Sequence, residues 1–292
     1  MTQLSNQVPI VSNGYLRLAF RNDPLFRRTV LTTSEQHYPL KVVRGFELKD
    51  GSTLVHLHNL SGGVLGGDKL EITVDVGRMA RAQLTTTGAT RLYRSRNGSA
   101  DAMQSNKVTI ASGGLLEYLP DQLIPFAGSR YRQDTVILLE DTAGLFWWET
   151  VAPGREARGE VFAYDSLQLN LEIRVGARPI ALERMKLEPA IRPMTSPARM
   201  SHFLYFSSFY ICKVGLEASR WRTLEEILRR QIEQFSTSDG TLWGVSTLSA
   251  HGLIVRVLSR RGRDILPGLT ILWRIAKLEL YGEEAIPPRK VN

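Results

Sequence analysis

The sequence predicts a mainly β protein: stacked β-sheets or a β-helix-like body, with two or three helices chiefly in the C-terminal third. Three observations carry this expectation. Short segments alternate apolar and polar residues, and Gly, Asn or Asp punctuates them roughly every ten residues. A unit of roughly 30 residues recurs in the middle of the chain. Helical periodicity is confined to the chain beyond about residue 215, so strands and helices do not alternate as a doubly wound sheet requires.

The predicted strands come first. YLRLAF (15–20), TLVHLH (53–58), LEITVDV (70–76), ARAQLTT (80–86) and NKVTI (106–110) all show period two. In the recurring unit, Val74-Asp75-Val76 leads through Gly77 to Ala80–Leu84. Val108-Thr109-Ile110 leads through Gly113-Gly114 to Leu115–Tyr118, and Val136-Ile137-Leu138 through Gly144 to Leu145-Phe146-Trp147. Strand, glycine turn, strand at a fixed period suggests stacked rungs. The helices follow. Over 219–235, Leu224, Ile227, Leu228, Ile232 and Phe235 share one face. Over 264–282 the surface is apolar nearly all round, and Gly282 supplies a stop. That second helix either packs on its own domain or docks a partner.

Composition narrows the classes. The chain of 292 residues carries a formal charge of +8, but its arginines are scattered and no block of five or six basic residues occurs. This gives no reason to expect a dedicated nucleic-acid protein. The single cysteine, Cys212, excludes an intrachain disulfide and suits a reducing compartment. The start, MTQLSNQVPIVSNGY, lacks the pattern of a signal peptide. No run of about 18 apolar residues predicts a membrane span. A single cytoplasmic domain over 1–292 is the expectation.

NLSGGVLGGDKL (59–70) has the glycine spacing of a phosphate loop at Gly62 and Gly67. Asp68 stands where such a loop needs lysine, and an aspartate would repel phosphate. A strand follows instead of a helix, so no helix N-terminus awaits an anion. The segment is therefore read as a tight connection holding one carboxylate. GxGxxG, GxSxG, HExxH and CxxC are all missing. His56 and His58 share a strand face and make at most half a metal site. Cys212, among apolar residues, reads as a small buried hydrophobe. Asp68, Glu117, Asp121, Glu149 and Glu160 are the acids with chemical potential. A pair at suitable separation would make a β-helical carbohydrate-active enzyme, the rival reading; solvated acids, or partners for Arg155 and Arg158, are the bland one.

Several segments together resemble the urease accessory protein family UreD, also called UreH. They are SGGVLGGDKLEI (61–72), QLTTTGATRLYRS (83–95), LLEYLPDQLIPFAGSR (115–130) and WETVAPGREARGEVF (148–162). WGVSTLSAHGLIVRVLS (243–259) and PPRKV (287–291) continue the series. Thr87 departs from the family's frequent proline, and Tyr118 from its occasional tryptophan. The resemblance implies a β-rich scaffold for nickel-centre assembly and no enzymatic activity. It implies contacts with a helical UreF-like protein, a UreG-like GTPase and apo-urease, in a dimer of heterotrimers. Neither nucleic acid nor membrane is an expected partner. Nickel(II) would be held only in transit, and no cofactor tightly. Weak oxygen sites suit handing on, because imidazole or thiolate cages would retain nickel. On this reading Asp68, Thr86, Thr87, Thr90, Glu149 and Glu160 line or gate a conduit. Trp273, Arg274, Arg289 and Lys290 are the expected partner contacts.

Overall fold

The computed structural model describes residues 11–236 and 240–288. A hairpin of β1 (Asn13–Asp23) and β2 (Arg28–His37) opens the chain, followed by short β3 (Leu40–Lys41) and β4 (Gly45–Glu47) and then β5 (Thr53–Asn59). The winding part comprises β6 (Lys69–Val76), β7 (Arg81–Thr86), β8 (Thr90–Leu92), β9 (Ala102–Ile110), β10 (Leu115–Tyr118), β11 (Leu123–Pro125), β12 (Arg130–Leu139), β13 (Gly144–Val151) and β14 (Ser166–Val175). After β15 (Arg178–Leu187) and β16 (Tyr205–Lys213) come helix α1 (Ala218–Glu233), β17 (Thr241–Thr247), β18 (Gly252–Ser259) and helix α2 (Ile265–Tyr281).

Successive strands pass from one sheet to the other. A seven-stranded sheet runs β15-β14-β12-β9-β6-β1-β2, and an eleven-stranded sheet follows the path β17-β18-β16-β13-β10-β7-β5-β3. The 30-residue unit is one rung of this winding. Val76 pairs with Ile110, and Ile110 with Leu139, in parallel. Across the gap Leu84 pairs with Tyr118, and Tyr118 with Trp147. The stacked, mainly β expectation is met, and the two helices both lie in the C-terminal third.

Strand alternation then builds two cores. Leu18, Val74, Val108, Ile137 and Ile173 of the seven-stranded sheet meet Ala82, Leu84, Leu116, Leu145 and Trp147 of the other. The far face of the eleven-stranded sheet offers Leu115, Phe146, Trp148, Phe209 and Val255, and the helices cover it with Trp221, Leu224, Leu228, Leu269, Leu272 and Trp273. That sheet is buried on both faces, which is why β16, apolar except at Ser207, Ser208 and Lys213, does not alternate apolar with polar. Helix α2 begins at Ile265 and ends where Gly282 takes φ of 67° and its N–H bonds the carbonyl of Leu278.

A buried ionic cluster joins the helical layer to the sheet. Lys277 of α2, 1% exposed, lies 2.9 Å from Glu117 of β10 and 3.4 Å from Asp50. Glu117 also accepts from Trp273 Nε1 at 3.2 Å and from Gln83 Nε2 at 2.9 Å. Arg81 forks onto Glu283 just beyond the helix. An unpaired buried charge is strongly destabilising, so Lys277 and Glu117 each require the other.

This corrects one expectation. Trp273 is 1% exposed, with its ring in the second core and its N–H on Glu117, so it offers no surface to a partner. Arg274, its neighbour, is exposed. The other expected contacts, Arg289 and Lys290, lie outside the described residues.

Candidate functional site between the sheets

The two sheets do not close on apolar side chains along their whole length. On β12 the inward positions are Tyr131, Gln133, Thr135, Ile137 and Leu139, so polar residues occupy one half of the strand and apolar ones the other. Gln104 and Asn106 of β9 and Glu149 of β13 extend the polar half. They bond one another. Gln104 Nε2 donates to Asn106 at 2.9 Å, and Asn106 Nδ2 to Thr135 at 2.9 Å. Tyr131 Oη donates to Gln133 at 3.1 Å, and Gln133 Nε2 to Glu149 at 2.5 Å.

Two adjoining cavities lie in this polar half. The smaller, about 50 Å³, is lined by Thr90, Gln104, Tyr118, Asp121, Tyr131, Gln133, Glu149 and Thr150. The larger, about 270 Å³, is lined by His58, Asn59, Thr86, Thr87, Thr90, Arg91, Gln104 and Tyr118, among others. Thr90, Gln104 and Tyr118 belong to both walls. The smaller cavity in turn shares Pro120, Asp121 and Thr150 with a broad outer groove of about 1240 Å³ beside α2. Shared walls of this kind make the three spaces neighbours.

Glu149 is the charged centre of the series. Burial pushes its carboxyl up to about 7, the hydrogen bond from Gln133 works against that rise, and the negative charge of Glu183 adds to it. Glu183 itself pairs with Arg256 at 2.8 Å and accepts a hydrogen bond from the Tyr210 hydroxyl. Ser207 and Thr150 complete the surroundings: Thr150 Oγ1 donates to Ser207 at 2.9 Å, and Ser207 Oγ to the carbonyl of Glu149 at 2.7 Å.

The expected conduit residues divide into two groups. Thr86, Thr87, Thr90 and Glu149 line the cavities. Asp68 and Glu160 line neither of them. Asp68 is wholly buried and clamps its own turn, accepting from Ser12 N–H at 2.9 Å and from Leu65 N–H at 2.9 Å. Gly67 beside it has φ of 92°, which explains the glycine. Glu160 pairs with Arg155, whose hydrogen bonds hold its carboxyl below the ordinary range, and it accepts from Ala127 N–H at 3.2 Å. His58 reaches the larger cavity while His56 packs edge-on against Phe46. Among the described residues no three His, Cys, Asp or Glu side chains gather as metal ligands. Cys212 is buried and its thiol is pushed up to about 12.

Gln104, Tyr131, Gln133 and Thr150 were not singled out from sequence. Their signal was available in parity: Gln133 and Thr135 share inward phase with Ile137 and Leu139, so polar residues on a core face mark a wet interior.

Comparison with known proteins decides the family. The UreD urease accessory protein family model matches residues 12–292. The chain belongs to the UreD family. A urease accessory protein UreD of Herpetosiphon aurantiacus is 46% identical over 279 residues, covering 96% of each chain. The UreD of Lysinibacillus sphaericus is 32% identical over 219 residues, covering 75% of this chain and 81% of its own. That of Bacillus sp. strain TB-90 is 26% identical over 264 residues, covering 90% and 94%. UreD membership gives the chain a role in urease maturation. No helix among the described residues is long and apolar enough to cross a membrane.

Proposed function

We propose that this UreD-family chain is a cytoplasmic maturation scaffold that bridges apo-urease to a UreF-like helical protein and a UreG-like GTPase, and that nickel(II) passes through its polar interior as cargo. One observation carries the conduit: the adjoining cavities are walled by Thr86, Thr87, Thr90, Gln104, Gln133 and Glu149. Hydroxyls, amides and one carboxylate bind a borderline divalent ion weakly and exchange it readily. Asp68 and Glu160 act in this reading through the loops they hold, not as cation contacts.

The five acids singled out in the sequence do not pair as the carbohydrate-enzyme alternative requires. Glu117 is neutralised by Lys277, Glu160 by Arg155, and Asp68 is taken up by its turn. Asp121 and Glu149 face the same cavity, but 50 Å³ holds about one or two waters and not a sugar ring.

The test uses the assembled system. The tagged chain is co-expressed with apo-urease and the UreF- and UreG-like proteins, and urease is activated at limiting nickel. Thr90→Val and Glu149→Ala are expected to slow activation severalfold while the sized complex stays intact. Wild-type activation by both variants would remove the conduit; a soluble chain that captures none of these proteins would remove the scaffold.

A further inference from the structure

The arginines scattered in the sequence are gathered by the fold. Arg261 and Arg263, on the approach to α2, and Arg274, on its third turn, converge on the broad outer groove. All three are exposed. Arg261 and Arg274 have no carboxylate partner among the described residues, and Arg263 reaches only Asp264, at 3.8 Å. Two more features make this a built surface. Its walls are apolar, with Trp148, Ile265, Leu266, Pro267 and Ile271 along the trough. Leu266 stands 48% exposed there, and Arg274 lies beyond it along the same side of α2. The first turn of the 17-residue α2 also lines the groove, with its N-cap Asp264 beside Arg263.

The groove holds two carboxylates. Glu156 accepts the Tyr205 hydroxyl at 2.6 Å. Asp121 meets Thr86 at 3.4 Å and also walls the small interior cavity, so it sits on the inner side. Glu156 is as exposed as the arginines but is taken up by Tyr205, so Arg261 and Arg274 are the rim charges without a carboxylate partner among the described residues.

We propose that this groove docks an acidic, amphipathic segment of a protein partner, its apolar side chains in the trough and its carboxylates on Arg261, Arg263 and Arg274. Charge complementarity selects the occupant. A basic or neutral segment would desolvate two unpaired guanidiniums without compensation. A nucleic acid would require a cationic track, and the trough here carries apolar side chains and the acids Asp121 and Glu156. Apolar centre with arginine rim is the make-up of an energetically dense interface. The proposal rests on the scaffold reading and adds to it where, and by what chemistry, one partner binds.

The experiment uses the full chain with the same co-expressed urease proteins. Three forms are compared: wild type, R261E/R274E, and the charge-neutral R261Q/R274Q. All side chains changed are exposed, and thermal melts confirm equal folding. The charge-reversed form is expected to bind its partner about thirtyfold more weakly, the neutral form to fall between, and wild-type affinity to drop with added salt. A photo-crosslinking residue in place of Leu266 is expected to capture a partner peptide rich in Asp and Glu at helical or strand spacing. Equal affinity of all three forms, or capture of a basic peptide, overturns the docking site while leaving the scaffold standing. Binding of a 20-base-pair duplex through the same arginines overturns it in favour of nucleic acid. A wild-type chain that captures no partner removes scaffold and docking site together.

Discussion

Glu117 and Glu149 stand on neighbouring parallel strands of one sheet and point to opposite faces. Glu117 faces the helices and is fixed by Lys277, Trp273 and Gln83. Glu149 faces the other sheet and has an amide, Gln133, but no bonded cation among the described residues. The contrast separates two uses of a buried acid. One is neutralised in place and joins layers. The other keeps an unmet demand for positive charge in a space with room for a small guest.

The largest break in this contrast comes from orphaning Glu117. Lys277→Met is expected to cost roughly 3–5 kcal/mol, because it leaves a carboxylate without its cation in the core. Adding Glu117→Gln should recover much of that loss; urea melts of the two variants check it, and an additive double variant would refute the pairing.

Removing the charge of Glu149 should act in the opposite direction. Its carboxyl titrates near 7 in the folded chain and near 4.5 unfolded, so the stability it contributes is present below about pH 4.5 and lost as pH rises through about 7. Glu149→Gln should therefore match wild type near pH 5 and exceed it by about 2 kcal/mol at pH 8, a figure reduced for the cavity beside the carboxyl. Urea melts at the two pH values read this out, and equal pH profiles would show that Glu149 is already neutralised. The smallest effect belongs to the surface. Arg155→Ala breaks the pair with Glu160, and the melting midpoint should stay within about 2 °C of wild type.

Sequence revealed the fold more fully than the site. Period-two segments mark the rungs directly, because strand parity is a local property; of the glycines Gly113 takes a left-handed turn position, whereas Gly144 opens β13 and Thr142 takes the left-handed position before it. β16 and the sheets' order were hidden, since burial on both faces erases alternation. For the site, Thr86, Thr87, Thr90 and Glu149 of the expected conduit residues line the cavities, whereas Asp68 and Glu160, expected alongside them, do not. The role of Trp273 was not legible: an apolar helix looks alike whether its stripe meets a sheet of its own chain or a partner. Arg274 stands out in the sequence, but its grouping with Arg261 is hidden there, because only the docking of α2 brings the two together.

The winding of the chain also sets a schedule. Each rung pairs with the rung made some 30 residues later, as when Val76 meets Ile110 and Ile110 meets Leu139. During synthesis the growing end of the stack is always an open edge, ready to pair with any strand it encounters. The apolar far face of the eleven-stranded sheet stays uncovered until α1 and α2 emerge from the ribosome last. A nascent chain of this design is therefore most vulnerable late in its making, and its yield should depend on how soon those final helices arrive.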